Sequence, residues 1–159
     1  MPLERAFLDD CPYLEEGLLI DEILEIRKDD GFVSVSMPTH ADLPITRTQR
    51  AHPVRHPRHV SGGLMVHMTG MVAFVHAYYV LELRHADGWV GYGARISSAR
   101  FHALAKPGDP LTLTCKPTQL RRGAKTVLAR YDFRFFQKET LVYEGDQTAL
   151  WTRIEEGAS

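Results

Sequence analysis

At 159 residues with a hydrophobic share of 44%, the chain is expected to form one domain, residues 1–159, around one core. Its 19 Lys and Arg against 20 Asp and Glu leave a formal net charge of -1, which argues against nucleic acid or an anionic membrane as partner and makes any basic site a local one. Residues 1–10 carry no apolar run of the kind a signal peptide needs, and Cys11 and Cys115 lie far apart without metal or redox spacing, so a cytoplasmic protein with two free thiols is expected.

In chain order, Leu18 to Arg27 (LLIDEILEIR) and the strictly alternating Phe32 to Met37 (FVSVSM) flank Asp29-Asp30-Gly31, which predicts a β-hairpin, although the first segment has helical propensity as well. A Pro-, His- and Arg-rich stretch, Pro38 to Ser61, follows. The segment from Gly62 to about Leu83 is too long for a strand and apolar nearly all round. His67, Thr69, Gly70 and His76 interrupt it, which predicts a helix enclosed by protein and not a membrane span. His85-Ala86-Asp87-Gly88 closes it. Four strand-like runs remain: Trp89 to Ala103, Leu111 to Leu120, Lys125 to Phe136 and Thr140 to Ile154, separated by Gly- and Pro-bearing turns. A hairpin, one buried helix and a four-strand antiparallel meander predict an α+β hotdog fold, a curled antiparallel sheet wrapped around one long central helix. One open sheet edge and an uncovered apolar face predict a homodimer or a larger homo-oligomer.

Three blocks of this sequence resemble the FabZ/FabA-type β-hydroxyacyl-acyl-carrier-protein dehydratases. Leu19-Ile20-Asp21-Glu22-Ile23-Leu24-Glu25-Ile26 is similar to the family's LLVDRVLEV strand. Ile96-Ser97-Ser98-Ala99-Arg100-Phe101, followed by Pro107-Gly108-Asp109, is similar to its I-D-K-A-R-F, spacer, P-G-D. Val60-Ser61-Gly62-Gly63-Leu64-Met65-Val66-His67 is similar to its V-M-P-G-V-L-x-x-E helix start, and the family's catalytic carboxylate is read onto His67. The resemblance implies an acyl thioester of acyl carrier protein or coenzyme A as substrate, with no cofactor. It also implies a base within the segment that replaces the family's G-H-F-P: His52, with His56 as the alternative.

Removing a C2 proton, stabilising a thioester enolate and protonating a departing C3 hydroxyl demand three groups. Imidazole exchanges protons near neutrality, so a His52/His67 pair suits the base and acid roles. Gly62 and Gly63 open a helix whose first N–H groups lack intrahelical partners, and a bare backbone there admits a thioester carbonyl; the same glycines would also permit close helix–sheet packing. His67 is a polar group in an apolar helix and must either face the acyl site or bond a backbone carbonyl, whereas His76 points elsewhere and reads as structural. Met65, Met68, Met71 and Phe74 share helical spacing and line either an acyl pocket or plain core. Arg55 and Arg58, with Arg121 and Arg122, are candidate contacts for phosphopantetheine or a carrier protein. His52, His56 and His59 have zinc-like spacing, but Pro53 and Pro57 oppose the helix that would align them, and no metal is expected. A thioesterase on the same fold and a non-catalytic acyl-binding domain are the alternatives.

Overall fold

The computed structural model describes residues 1–155. Alternation builds its sheet. Strands β1 (Glu22–Arg27) and β2 (Phe32–Met37) form the expected antiparallel hairpin. Its turn needs Gly31, at φ 71°, because a Cβ there would lie 2.7 Å from the Pro117 ring. Strands β3 (Trp89–Phe101), β4 (Leu111–Arg122), β5 (Thr126–Gln137) and β6 (Thr140–Arg153) complete it. In β5, Val127, Ala129, Tyr131, Phe133 and Phe135 are buried while Arg130 and Arg134 between them are exposed, the two-residue period of a strand with one face on the core.

The strand order is β1-β2-β4-β5-β6-β3. The meander predicted for the last four strands therefore holds for β4, β5 and β6 but not for β3, which pairs with β6 at the far edge, from Trp89↔Arg153 to Phe101↔Tyr143. Alternation identifies a strand without choosing its neighbour. Here the choice is made where the chain leaves the helix: Gly88, at φ 89°, accepts the Ile154 N–H at 2.8 Å and starts β3 beside the end of β6.

Helix α3 spans Gly62–Tyr79. Ser61 caps it, its Oγ accepting the Leu64 N–H at 3.1 Å. Leu64, Met65, Met68, Met71, Val72 and Val75 are buried around its circumference, as a helix inside a curled sheet requires. It ends short of the predicted Leu83 because the Val80 and Leu81 N–H groups both turn onto the His76 carbonyl, and the Arg122 guanidinium donates to the Leu81 carbonyl at 3.2 Å. None of the described helices is long and apolar enough to cross a membrane.

Two short helices at the start of the chain, α1 (Arg5–Asp10) and α2 (Glu15–Leu18), were not predicted. Phe7 anchors the first, with its ring centroid 5.2 Å from that of Tyr78 and 5.6 Å from that of Tyr79 on α3. Burying such a ring stabilises by roughly 1.5–3 kcal/mol. The Asp10 carboxylate accepts the His85 and Ala86 N–H groups, each at 2.8 Å. The first eighteen residues thus form a strap bound to both ends of the loop that follows α3.

Candidate active site

Between α3 and strands β3, β5 and β6 lies an open cavity of about 450 Å³. Tyr131, Phe133 and Trp151 give it an aromatic wall, and Gly93, Ala94 and Arg95 form part of its rim, where the β3–β6 register slips. No Asp or Glu is among the described lining residues. His67 lines the cavity, half-buried, on the face of α3 that Tyr13 covers, with ring centroids 5.4 Å apart.

The partner that His67 requires is the Gly17 carbonyl, 2.7 Å from Nε2. That carbonyl belongs to the C-terminal turn of α2, where carbonyls lack intrahelical donors, so it is free to accept. A carbonyl only accepts, which fixes the proton on Nε2 and leaves the Nδ1 lone pair as the basic atom of a neutral ring. Counted from Gly63, the carboxylate of the family pattern falls on Met68, one residue past His67, and Met68 is fully buried in the core. This corrects the reading of that carboxylate onto His67. The candidacy of His67 rests on its place in the cavity.

The other predicted residues divide. Met71 and Phe74 line the cavity, while Met65 and Met68 do not and are buried in the core. His52 and His56 also lie outside the cavity lining of this chain. They close a tight loop through reciprocal backbone hydrogen bonds of 2.7 and 3.1 Å, and His52 Nδ1 accepts from the N–H groups of Val54 and Arg55. The two-histidine pair is therefore not assembled within one chain. His59 Nδ1 is 2.7 Å from the Pro57 carbonyl, and no cluster of three metal-ligating side chains occurs among the described residues. Gly62 and Gly63 lie at the helix start, outside the lining, and the described hydrogen bonds include none donated by their N–H groups. A Cβ on Gly62 would lie 2.9 Å from the Phe101 ring, so that glycine serves close packing, whereas Gly63 is exposed with nothing nearer its Cβ position than Ser61 Oγ at 3.8 Å. Of the arginines, Arg58 donates to the Thr46 carbonyl at 2.7 Å and Arg122 to that of Leu81, which are structural duties; Arg55 and Arg121 are exposed.

One polar group of the cavity was missed from the sequence. Gln147 on β6 and Thr69 on α3 both line it, joined by a 3.0 Å hydrogen bond, and Tyr143 donates to Gln147 Oε1 at 2.6 Å. The available signal was parity: Tyr143, Gly145, Gln147 and Trp151 are buried on one face of β6, so a glutamine stands where an apolar residue is the rule.

A curled six-strand antiparallel sheet on one long helix, with a cavity along that helix, defines the hotdog architecture, and solved structures agree. A thioesterase from Pseudomonas aeruginosa matches with a TM-score of 0.63 at 15% identity, covering 97% of this chain and 96% of that one. The dehydratase heterocomplex ApeI:P from Xenorhabdus doucetiae matches with a TM-score of 0.63 at 12% identity, covering 97% and 94%. A thioesterase from Haemophilus influenzae matches with a TM-score of 0.60 at 19% identity, covering 94% and 90%. The chain has the hotdog fold shared by this group of dehydratases and thioesterases. Within that group its sequence is similar to the 3-hydroxyacyl-[acyl-carrier-protein] dehydratase FabZ of Coxiella burnetii, at 28% identity over 112 residues, 70% of this chain and 75% of that protein. No family model matches it.

Proposed function

We propose that this protein is a 3-hydroxyacyl-thioester dehydratase in which His67 handles both proton transfers. The observation that carries this reading is the cavity's composition: among its described lining residues, His67 is the one side chain of a type that exchanges protons near neutrality, and its tautomer is set by Gly17. Nδ1 takes the C2 proton; the resulting imidazolium returns a proton to the C3 hydroxyl, which leaves as water, and the enoyl thioester and neutral imidazole remain. The exposed Gly63 N–H at the positive end of α3 is the candidate donor to the thioester carbonyl. His52 and His56 join the reaction only where a second copy carries their loop to the cavity. Arg55 and Arg121, exposed and cationic, are the candidate contacts for the phosphates of coenzyme A or for an acyl carrier protein. The reading also places the protein in the cytoplasm, where Cys11 and Cys115 stay free thiols.

Thioester hydrolysis is the second reading. That no described lining residue of the cavity carries a carboxylate favours it, because attack by a His67-activated water needs no separate acid to expel a hydroxyl. The experiment offers the protein a 3-hydroxyacyl thioester and its saturated analogue. Enoyl product without free thiol supports dehydration, and thiol release from both establishes hydrolysis. His67→Ala is expected to lower turnover roughly 10²–10⁴-fold in either case. Unchanged turnover removes His67 from the chemistry, and binding without turnover of either compound leaves an acyl-binding domain.

A further inference from the structure

The polar chain in the cavity wall has a direction, and that direction leaves one donor unspent. Thr69 Oγ1 lies 2.6 Å from the Val66 carbonyl, which can only accept, so the hydroxyl proton of Thr69 is committed there. Toward Gln147, 3.0 Å away, Thr69 must therefore accept, which places the Gln147 NH₂ on that side and its carbonyl oxygen toward Tyr143. Tyr143 is fully buried, and its O–H donates to that oxygen at 2.6 Å. Both ends of the amide are fixed, so it cannot flip. An amide NH₂ carries two hydrogens, and Thr69 uses one.

The fold makes room for this arrangement. A Cβ on Gly145 would lie 2.5 Å from both Gln147 Oε1 and Tyr143 Oη, so the tyrosine and the glutamine meet only because the residue between them has no side chain. Around the amide the cavity is mostly aromatic and aliphatic, with Tyr131, Phe133, Phe74 and Trp151 in its lining. An alkyl group filling that space displaces water from the second N–H and puts nothing in its place, whereas a group bearing an oxygen acceptor satisfies it.

We propose that Gln147, oriented by Tyr143 and Thr69, is a specificity-determining residue whose free N–H donates to a carbonyl or hydroxyl oxygen carried by the acyl group beyond the thioester. The cavity on this account selects oxygen-bearing acyl groups over plain alkyl groups of the same length. The proposal rests on the acyl-thioester reading for the identity of the ligand, but the donor itself is a property of the cavity.

Two pairs of probes separate those levels. The first pair is 3-oxooctanoyl and octanoyl coenzyme A analogues in which a methylene replaces the thioester sulfur, so that neither is hydrolysed. The second is cyclohexanone and methylcyclohexane, which enter without any thioester. In the intact protein the oxygen-bearing member of each pair is expected to bind about tenfold more tightly, and in Gln147→Leu that ratio collapses toward unity. Tyr143→Phe keeps the ring but frees the amide to rotate, and is expected to give an intermediate ratio; it also carries the test if Gln147→Leu does not fold. A ratio near unity in the intact protein, or one that survives in a folded Gln147→Leu variant, overturns the proposal. Preference for cyclohexanone with no binding of either coenzyme A analogue would keep the donor and remove the acyl-thioester reading.

Discussion

Two histidines on one helix show how differently burial treats the same side chain. His67 meets a carbonyl of the strap through Nε2, with no described hydrogen bond at Nδ1, whereas His76 is fully buried, bonded at Nδ1 to the Tyr131 hydroxyl at 2.8 Å and unpaired at Nε2. Removal from water disfavours its charged form, lowering its pKa from 6.5 to about 4. Below pH 6.5 the unfolded chain takes up a proton at this position that the folded chain refuses until about pH 4, so stability is full above that interval and falls with pH through it. The loss over the whole interval amounts to about 3 kcal/mol. His76→Phe removes the titration, and its urea midpoint is expected to depend less on pH across that range, even though Tyr131 loses its partner and the variant is less stable throughout. Equal slopes in the two proteins would count against this. At this scale the sequence reveals which residues are under constraint: a histidine inside an apolar helix must be satisfied. It does not reveal the partner, because Gly17 lies fifty residues away in a segment whose four-residue helix has no periodicity to read.

Elements were legible in proportion to their periodicity. The strands β2, β4, β5 and β6 follow from alternation and turn residues, and α3 from its length and apolar circumference. The edge position of β3 was not legible, because its exposure shows only once β6 is known to lie on one side of it alone. The start of α3 is the element-scale feature with a functional consequence, and its two glycines separate packing from chemistry. Ala at position 63 gains helix propensity, worth up to about 1 kcal/mol over Gly, and meets nothing closer than an ordinary van der Waals contact. Gly63→Ala is therefore expected to hold or raise the melting temperature. The same methyl group obstructs approach to the residue 63 N–H, so turnover is expected to fall about tenfold or more if that N–H binds the thioester carbonyl. Turnover equal to that of the unmodified protein, in a variant of equal or greater stability, would move the carbonyl site elsewhere along the cavity.

The two edges of the sheet are treated unlike each other. At β1 the strand is short and carries Glu22, Glu25 and Arg27, and the chain's first residues lie against it, with Pro2 bridged to Glu22 and the terminal ammonium donating to the Ile23 carbonyl at 2.8 Å. Charges and a covering segment are how proteins blunt an edge. At β3 the edge runs thirteen residues, exposed from Tyr92 onward, with Tyr92, Ile96 and Phe101 presenting apolar side chains, Ile96 at 52% exposure. An antiparallel strand pairing with its own copy about a twofold axis satisfies such an edge, and the cavity rim at Gly93, Ala94 and Arg95 would then lie at the junction of two subunits. The protein is accordingly expected to sediment as a dimer. Ile96→Lys places an ammonium in the paired edge and is expected to weaken association by ~2 kcal/mol or more, about 30-fold in dissociation constant. Leu120→Lys, at an apolar site of 42% exposure on β4, away from that edge, serves as the control and is expected to leave association intact. Turnover that falls in parallel with dimer content on dilution would show that the cavity is complete only between two copies, which is the arrangement that could bring the His52 loop to His67. Full turnover in a monomeric Ile96→Lys protein would instead confine the chemistry to one chain.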